Sequence, residues 1–303
     1  MKELQRPRRL RPGGRIGIAA VSGPVDPERL AAGVRELEGL GYTTVLADNV
    51  ARREGFLAGT DEERAGGYRR LVTDDSIDAI FFARGGYGAS RTLRLLDSAE
   101  IRAHPKIHLG GSDLTAFLAF VAKGASLVTF HGPMVAVEMG RGGVLDWAEV
   151  LSGSAPAEHR IGPDDVIVSG SAEGLLAGGC LSVLGSLVGT PEAVDGKDRI
   201  LFWEDVAEPV YRLDRLLTQL ERSGTLDGLR GMVIGSVVPG REESSEAVRE
   251  YLRDRFRAAP FPVVTGVPAG HLAAPRTLPL GLPVALTADD GGGTLVFPGP
   301  AVS

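Results

Sequence analysis

Apolar positions in the first half of the chain fall into short unbroken runs, and the stretches between them repeat apolar residues at helical spacing. The first run, Arg15-Ile16-Gly17-Ile18-Ala19-Ala20-Val21, reads as a buried strand that stops at the turn Ser22-Gly23-Pro24. Asp26-Pro27-Glu28 then carries the marks of a helix start: a capping side chain, a proline in the first turn and an acid suited to the dipole. Leu30, Val34, Leu37 and Leu40 continue as one apolar face until Gly41, and residues 43–46 form the second strand. Thr60-Asp61-Glu62-Glu63 has the form of a capping box ahead of a helix reaching Leu71 and Val72. Residues 78–83 are the third strand, which runs into Arg84-Gly85-Gly86-Tyr87-Gly88, and Ser90 is expected to cap a short helix through Leu96. Strands at 107–109 and 126–130 complete the set, the last ending at His131-Gly132-Pro133. Short apolar strands alternating with helices predict an α/β fold, a parallel sheet covered on both faces.

From 141 to 170 the pattern weakens into Gly, Ser, Pro and Ala. The segment is expected to link a first domain, 1–140, to a second, 171–303. The second half opens glycine-rich and apolar at 174–181, and residues 199–203 form a strand that ends in Glu204-Asp205. A helix beginning at Pro209 places Val210, Leu213, Leu217 and Leu220 on one face. Another strand at 231–238 and a charge-rich helix at 244–256 follow, then shorter strands at 262–265, 284–286 and 294–297. The chain shows no internal repeat.

Composition narrows the classes. With 303 residues, 43% hydrophobic and 24% charged, the chain has the material for two cores without covalent staples. Its net charge of −6 argues against a nucleic-acid binder, which needs a basic face. Arg6, Arg8, Arg9, Arg11 and Arg15 cluster near the start, but no aromatic residues interleave, and they read as a solvated arm. Cys180 is the single cysteine, which excludes an internal disulfide and a Cys-based zinc cluster. No apolar stretch approaches a membrane span, and the run at 16–21 is too short for a signal-peptide core, so a cytoplasmic location is expected.

The candidate chemistry centres on Gly110-Gly111-Ser112-Asp113-Leu114-Thr115. This stretch joins Ile107-His108-Leu109 to a helical pattern with Leu114, Phe117, Leu118 and Val121 on one face. A serine between strand and helix can be held on a sharp turn with its hydroxyl exposed, where the next amide can stabilise an oxyanion. A G-x-S-x-G elbow wants glycine where Leu114 stands, so two readings stay open here: Ser112 as helix cap, or Ser112 as nucleophile. Ligands of open parallel sheets bind at the carboxyl ends of strands, where Ser22-Gly23-Pro24, 84–88, 110–113 and His131-Gly132-Pro133 all fall. Neither 85–88 nor the first βα turn has G-x-G-x-x-G spacing, so no nicotinamide cofactor is expected.

A serine hydroxyl needs a base, itself oriented by a third group. His104 lies on a connection, His108 is packed inside a strand and His159 falls in the linker, which leaves His271 or His131. His271, after Pro268-Ala269-Gly270, sits on a loop where glycine allows close approach. Glu204 ends an apolar strand and is expected to be buried and paired, whereas Asp205 suits a cap for the helix at Pro209. Ser112, Glu204 and His271 then follow the order Ser, Glu, His also used by α/β-hydrolases. Cys180 lies in an apolar run without an adjacent base and is no rival nucleophile.

Over nearly its whole length the chain resembles the LD-carboxypeptidase family of serine peptidases, which also contains the microcin C immunity-type peptidases. The resemblance rests on Ser22-Gly23-Pro24, Arg84-Gly85-Gly86-Tyr87-Gly88, Gly111-Ser112-Asp113-Leu114-Thr115 and His131-Gly132-Pro133. It continues through Gly178-Gly179, Leu201-Phe202-Trp203-Glu204-Asp205, Tyr211-Arg212-Leu213-Asp214-Arg215, Gly270-His271 and Leu278-Pro279-Leu280-Gly281. It implies an N-terminal Rossmann-like domain with a parallel sheet, a smaller C-terminal α/β domain, an active site in the interdomain cleft, homodimeric assembly, and no metal or organic cofactor. It also implies Ser112 as nucleophile, His271 as general base and acid, Glu204 as its orienter, and an oxyanion hole from the backbone amides of Asp113 and Gly86. Thr115 would shape the elbow and the substrate pocket, and Arg84 would meet a substrate carboxylate through its bidentate fork. The family usually has Asn where Cys180 stands and an aliphatic residue where Trp203 stands; Trp203 is read as core packing.

The function so implied is hydrolysis of an L,D-peptide bond in a small peptide, releasing terminal D-Ala from a murein tetrapeptide in peptidoglycan recycling. A first alternative is a microcin C immunity-type peptidase cleaving an aminoacyl-nucleotide amide. That reading wants aromatic side chains for adenine on a loop of the second domain, and aromatics are only 6% of the chain. A second is a non-catalytic muropeptide-binding protein.

Overall fold

The apolar runs of the first half assemble into one sheet. The computed structural model describes residues 4–141, 146–154, 158–240 and 243–303. In it β1 (Arg15–Ala19), β2 (Thr43–Leu46), β3 (Ala79–Phe82), β4 (Ile107–Gly110) and β5 (Thr129–His131) lie in the order β5-β4-β3-β1-β2. All four pairings among them are parallel, and β3 and β4 are buried along their length, as unalternating apolar runs require. A late strand, Leu278–Leu280, extends the sheet beyond β5. Met1–Ala155, Ala273–Pro279 and Ala301–Ser303 cluster as the first compact unit, and Pro156–Leu272 with Leu280–Pro300 as the second.

Local signals explain several helix starts. Before α1 (Pro27–Gly39), the Asp26 carboxylate accepts from the amides of Glu28 and Arg29, both at 3.0 Å. Before α2 (Asp61–Thr73), Thr60 and Glu63 form the reciprocal capping box. The short α3 (Ala89–Thr92) departs from expectation: its N-cap is Gly88, and the Ala89 amide is taken by Asp113 Oδ2 at 2.9 Å rather than by Ser90. After α4 (Ser98–Ala103) and β4, α5 (Leu114–Phe120) continues as a π-helical turn, Val121–Ala125. Ser126 then sits at φ 58° and closes that turn, which is why β5 begins at Thr129 instead of 126. Under the sheet Tyr68, Phe82 and Phe117 pack ring against ring, and the Tyr68 hydroxyl donates to the buried His108 ring at 2.8 Å.

The stretch 141–170, expected as a linker, is folded where it is described. It holds α6 (Trp147–Ser152), β6 (Glu158–Ile161) and β7 (Val166–Val168), and Trp147 is buried against Phe81. These elements are only three to six residues long, too short to show periodicity.

The second unit is built on a mixed sheet. Its further strands are β8 (Gly170–Cys180), β9 (Arg199–Glu208), β10 (Gly231–Pro239) and β11 (Val263–Val264), then, after β12 (the Leu278–Leu280 strand of the first sheet), β13 (Pro283–Asp289) and β14 (Gly292–Val296). The order is β6-β14-β13-β8-β9-β10-β11-β7, parallel from β8 to β11 and antiparallel at both flanks. α7 (Leu181–Ser186), α8 (Val210–Arg222) and α9 (Ser245–Phe256) accompany it, and Leu213, Leu217, Leu220, Leu252 and Phe256 pack with Trp203 in one core. Trp203 is fully buried, with its indole N–H 3.3 Å from Met232 Sδ. Both units are thus α/β.

Candidate active site

In the first unit the β4–α5 connection bends sharply at Ser112, whose φ is 58°. Left-handed backbone in a residue other than glycine costs on the order of 1–3 kcal/mol and survives only where its surroundings enforce it. The side-chain caps Asp26, Thr60, Asp97 and Ser244 all hold extended backbone, and the N-cap of α5 is Asp113, not Ser112. Ser112 therefore has the backbone of an elbow and not of a cap. Its side chain is partly exposed, and its carbonyl accepts from the Thr115 amide at 2.9 Å. Thr115 is 1% exposed, so it supports the elbow from beneath and presents no surface to a substrate, against the expectation of a pocket contact.

Two loops are tied to this elbow. Asp113 Oδ2 accepts from Ser22 Oγ at 2.6 Å and from the Ala89 amide, joining the end of β1 and the start of α3 to the serine turn. Burial pushes the Asp113 carboxyl above its usual range, and its hydrogen bonds and Arg64 work against that shift. Arg64, fully buried, donates to the carbonyls of Val21 and Gly88 and pairs with Asp61, bracing the same loops from behind. The sequence reading missed Arg64. Its three-residue spacing from Asp61 on one helix face was the available signal.

The 85–86 segment runs against the serine. The Gly85 carbonyl accepts from the Gly23 amide and from Arg84 Nε, each at 3.2 Å. In a trans peptide the next N–H, that of Gly86, points the opposite way. A Cβ on Gly85 would stand 2.8 Å from Ser112 Cβ and 3.3 Å from the Asp113 nitrogen, so only glycine permits this approach. The Gly86 and Asp113 amides meet no acceptor among the described residues. Arg84, half-buried, also reaches the Pro24 carbonyl at 3.1 Å. His131, the other candidate base, is 2% exposed on β5, its ring packed beneath Gly111.

In the second unit β9 runs on through Glu208, past the end that the sequence suggested at Glu204-Asp205. Glu204, 0% exposed, accepts at Oε2 from His271 Nδ1 at 2.7 Å and from the His271 amide at 3.2 Å. A carboxylate accepts, so Nδ1 carries the proton in this bond, the tautomer that a general base acting through Nε2 needs. Gly270 makes the approach possible: its φ is 109°, and a Cβ there would lie 2.5 Å from Glu204 Oε2. Bonds from Ser236 to the Ala269 carbonyl at 2.9 Å and from Leu272 to that of Gly270 at 2.8 Å pin the loop.

Asp205 does not cap α8, whose Val210 amide is held by Glu243 at 2.9 Å. It instead accepts from Ser182 in the first turn of α7 and from Val206, both at 2.8 Å, because the strand continues past it. Cys180 lies 3.7 Å from Asp205, and burial together with the Glu204 and Asp205 charges pushes its thiol well up, away from thiolate chemistry. Among the described residues no group of three or more His, Cys, Asp and Glu side chains is placed to hold a metal, and no helix is long and apolar enough to cross a membrane.

Comparisons with known proteins agree with this division. Residues 16–132 match the family model of the LD-carboxypeptidase N-terminal domain, and residues 173–286 that of the LD-carboxypeptidase C-terminal domain. The chain is 40% identical to a putative carboxypeptidase of Streptomyces coelicolor, over 100% of this chain and 99% of the relative. It is 33% identical to a probable murein peptide carboxypeptidase of Bacillus subtilis, over 93% and 91%. A solved structure of the microcin C7 self-immunity protein MccF, in complex with glutamyl sulfamoyl guanosine, shares its fold at a TM-score of 0.88. That match is 24% identical and covers 98% of this chain and 99% of the other.

Proposed function

The chain belongs to the LD-carboxypeptidase family of serine peptidases, and from that premise we propose that it releases the terminal D-residue of an L,D-linked peptide, D-Ala from a murein tetrapeptide, with Ser112 as nucleophile. The observation that carries the reading is the left-handed backbone of Ser112 beside two unengaged amides. Ser112 Oγ attacks the carbonyl carbon of the L-configured residue while His271 Nε2 takes the hydroxyl proton. Glu204 holds the imidazole through Nδ1 and balances the imidazolium charge. The oxyanion takes the N–H groups of Gly86 and Asp113. His271 returns the proton to the departing amine, and water, activated by the same histidine, hydrolyses the acyl-enzyme. The mechanism pairs the serine of the first unit with the histidine of the second.

The murein assignment follows the name of the Bacillus relative. An aminoacyl-nucleotide substrate is supported less, since Tyr211 is the one strongly exposed aromatic among the described residues of the second unit, and it already carries Arg215 over its ring. The reading also carries a cytoplasmic location and a homodimeric assembly, the latter open to sizing in solution. Mass spectrometry of a defined murein tetrapeptide, run beside a processed aminoacyl-sulfamoyl nucleoside, tests the function. Loss of D-Ala from the tetrapeptide supports it. Exclusive turnover of the nucleoside transfers the chain to the other branch, and binding of either without turnover leaves a non-catalytic binder.

A further inference from the structure

Resting on that reading, we infer that the buried Asp61–Arg64 pair is a positioning pair for the reaction, which sets the oxyanion amides of Gly86 and Asp113 at one spacing. Both residues act through others, and the route can be followed bond by bond.

Arg64 projects from α2 and is 0% exposed. Its Nε donates to the Gly59 carbonyl at 3.3 Å, its Nη1 to the carbonyls of Val21 and, at 2.7 Å, Gly88, and its Nη2 to Asp61. Val21 lies just past β1, and Gly88 just before α3. Gly88 has φ 126°, and a Cβ there would stand 2.8 Å from Arg64 Nη1, so glycine at this position makes room for the guanidinium.

The residue after each of these two acceptors donates to one and the same atom. Ser22 Oγ, next to Val21, and the Ala89 amide, next to Gly88, reach Asp113 Oδ2 at 2.6 and 2.9 Å. Asp113 supplies one oxyanion amide. Gly86, two residues before Gly88, supplies the other, on a loop whose Gly85 carbonyl also takes the Gly23 amide at 3.2 Å. One guanidinium therefore holds the segments on either side of the serine turn and, through Asp113, the turn itself. A planar fork of five donors can keep several acceptors at fixed angles, whereas an ammonium in its place is a single point.

Stability alone is a poor reason for such a pair. Removing a guanidinium and a carboxylate from water often costs as much as their attraction returns, and apolar residues of similar volume commonly serve as well. Here the acid is anchored from the surface side too, by Arg91 at 3.0 Å and Arg94 at 3.6 Å. A buried charged brace held this firmly fixes geometry, and what it fixes is the pair of amides.

The test uses the wild type, Arg64→Lys, Ser22→Ala and the double variant, with one L,D-peptide and the aldehyde that ends at its scissile carbonyl. The adduct of that aldehyde with Ser112 carries the oxyanion, and neither its inhibition constant nor KM depends on how much of the chain has folded. Arg64→Lys is expected to lower kcat about 10- to 100-fold and to weaken the aldehyde by a similar factor, with KM within about threefold. Ser22→Ala, which leaves the ion pair in place, is expected to lose about tenfold in both, and the double variant less than the product, because both changes act through Asp113. Aldehyde affinity that falls no more than KM rises in Arg64→Lys overturns the inference while the serine mechanism stands. So does a double variant whose losses multiply, or, should the lysine variant not fold, unchanged aldehyde affinity in Ser22→Ala. A wild type that does not cleave the peptide refutes the function beneath, and the inference falls with it.

Discussion

Replacing Gly270 by alanine adds one methyl group at the point where the base and its orienting acid meet. A Cβ there would lie 2.5 Å from Glu204 Oε2, 2.6 Å from its Cγ and 2.7 Å from its Cβ. Three overlaps on one buried side chain have to open by roughly 1 Å, since non-bonded carbons rest near 3.5–4.0 Å. At φ 109° the alanine backbone adds strain on the order of 1–3 kcal/mol. The chain or the glutamate must shift, and either shift stretches the 2.7 Å bond to His271 Nδ1. Losing a charge-assisted hydrogen bond removes about 1.5–3 kcal/mol, and a misplacement of about 1 Å in a catalytic group costs roughly 100-fold. Gly270→Ala is therefore expected to lower kcat/KM about 100- to 1,000-fold, chiefly through kcat, with a stability loss of about 1–3 kcal/mol. Liquid chromatography of released D-Ala gives the rates, and urea unfolding gives the stability. The variant Glu204→Gln, which adds no bulk, should lose about 10⁴-fold by upsetting the tautomer. Activity within about threefold of wild type in a Gly270→Ala chain carrying the expected stability loss would refute a catalytic role for the pair.

Other outcomes follow from the same geometry. Gly85→Ala should cost at least about 100-fold in kcat, because the new methyl presses on Ser112 and the Asp113 amide; near-normal kcat would remove the 85–86 loop from the oxyanion site. Among inactive serine variants, Ser112→Gly should be more stable to urea than Ser112→Ala by about 1 kcal/mol, since only glycine relieves the left-handed backbone. The opposite order would show that the elbow stores no strain. His108 is held neutral by burial, with its pKa pushed down to about 4. Its unfolded value is higher, so the unfolded chain binds the extra proton first, and this stability is present above about pH 6.5 and lost as pH falls toward 4. Urea midpoints should therefore drop between pH 7 and pH 4.5, less so in His108→Leu; parallel curves would contradict it. Cys180→Ser should keep kcat/KM within about threefold, and iodoacetamide should label the wild type slowly at pH 8; fast labelling would contradict its buried, poorly ionised thiol.

The sequence made the first sheet legible because its strands are buried on both faces and its helices carry caps that act locally, as at Asp26 and Thr60. It was silent where contacts are distant. Nothing near Ser90 says that Asp113, 24 residues on from Ala89, takes the first amide of α3. Nothing near Leu278 says that a late strand joins the first sheet. The segment 141–170 read as a linker because its described elements are only three to six residues long. For the site, the positions of Ser112 and of the glycine loops at strand ends could be read from the alternation alone. The backbone angle that separates elbow from cap could not. Glu204 was expected to be buried and paired, and its contact with His271 is present at 2.7 Å. The choice of His271 over His131 rests on loop position and on family resemblance; the burial of His131 beneath Gly111 could not be read from the sequence.

The central claim is that Ser112 forms the acyl-enzyme and depends on His271 to do so. Peptide mapping by mass spectrometry, after rapid acid quench of the enzyme with an L-configured ester substrate whose deacylation is slow, tests it most directly. The acyl mass is expected on the peptide containing Ser112 within the dead time for wild type, at least about 10³-fold more slowly in His271→Ala, and never in Ser112→Ala. An adduct on any other residue, or full-rate acylation without His271, would contradict it.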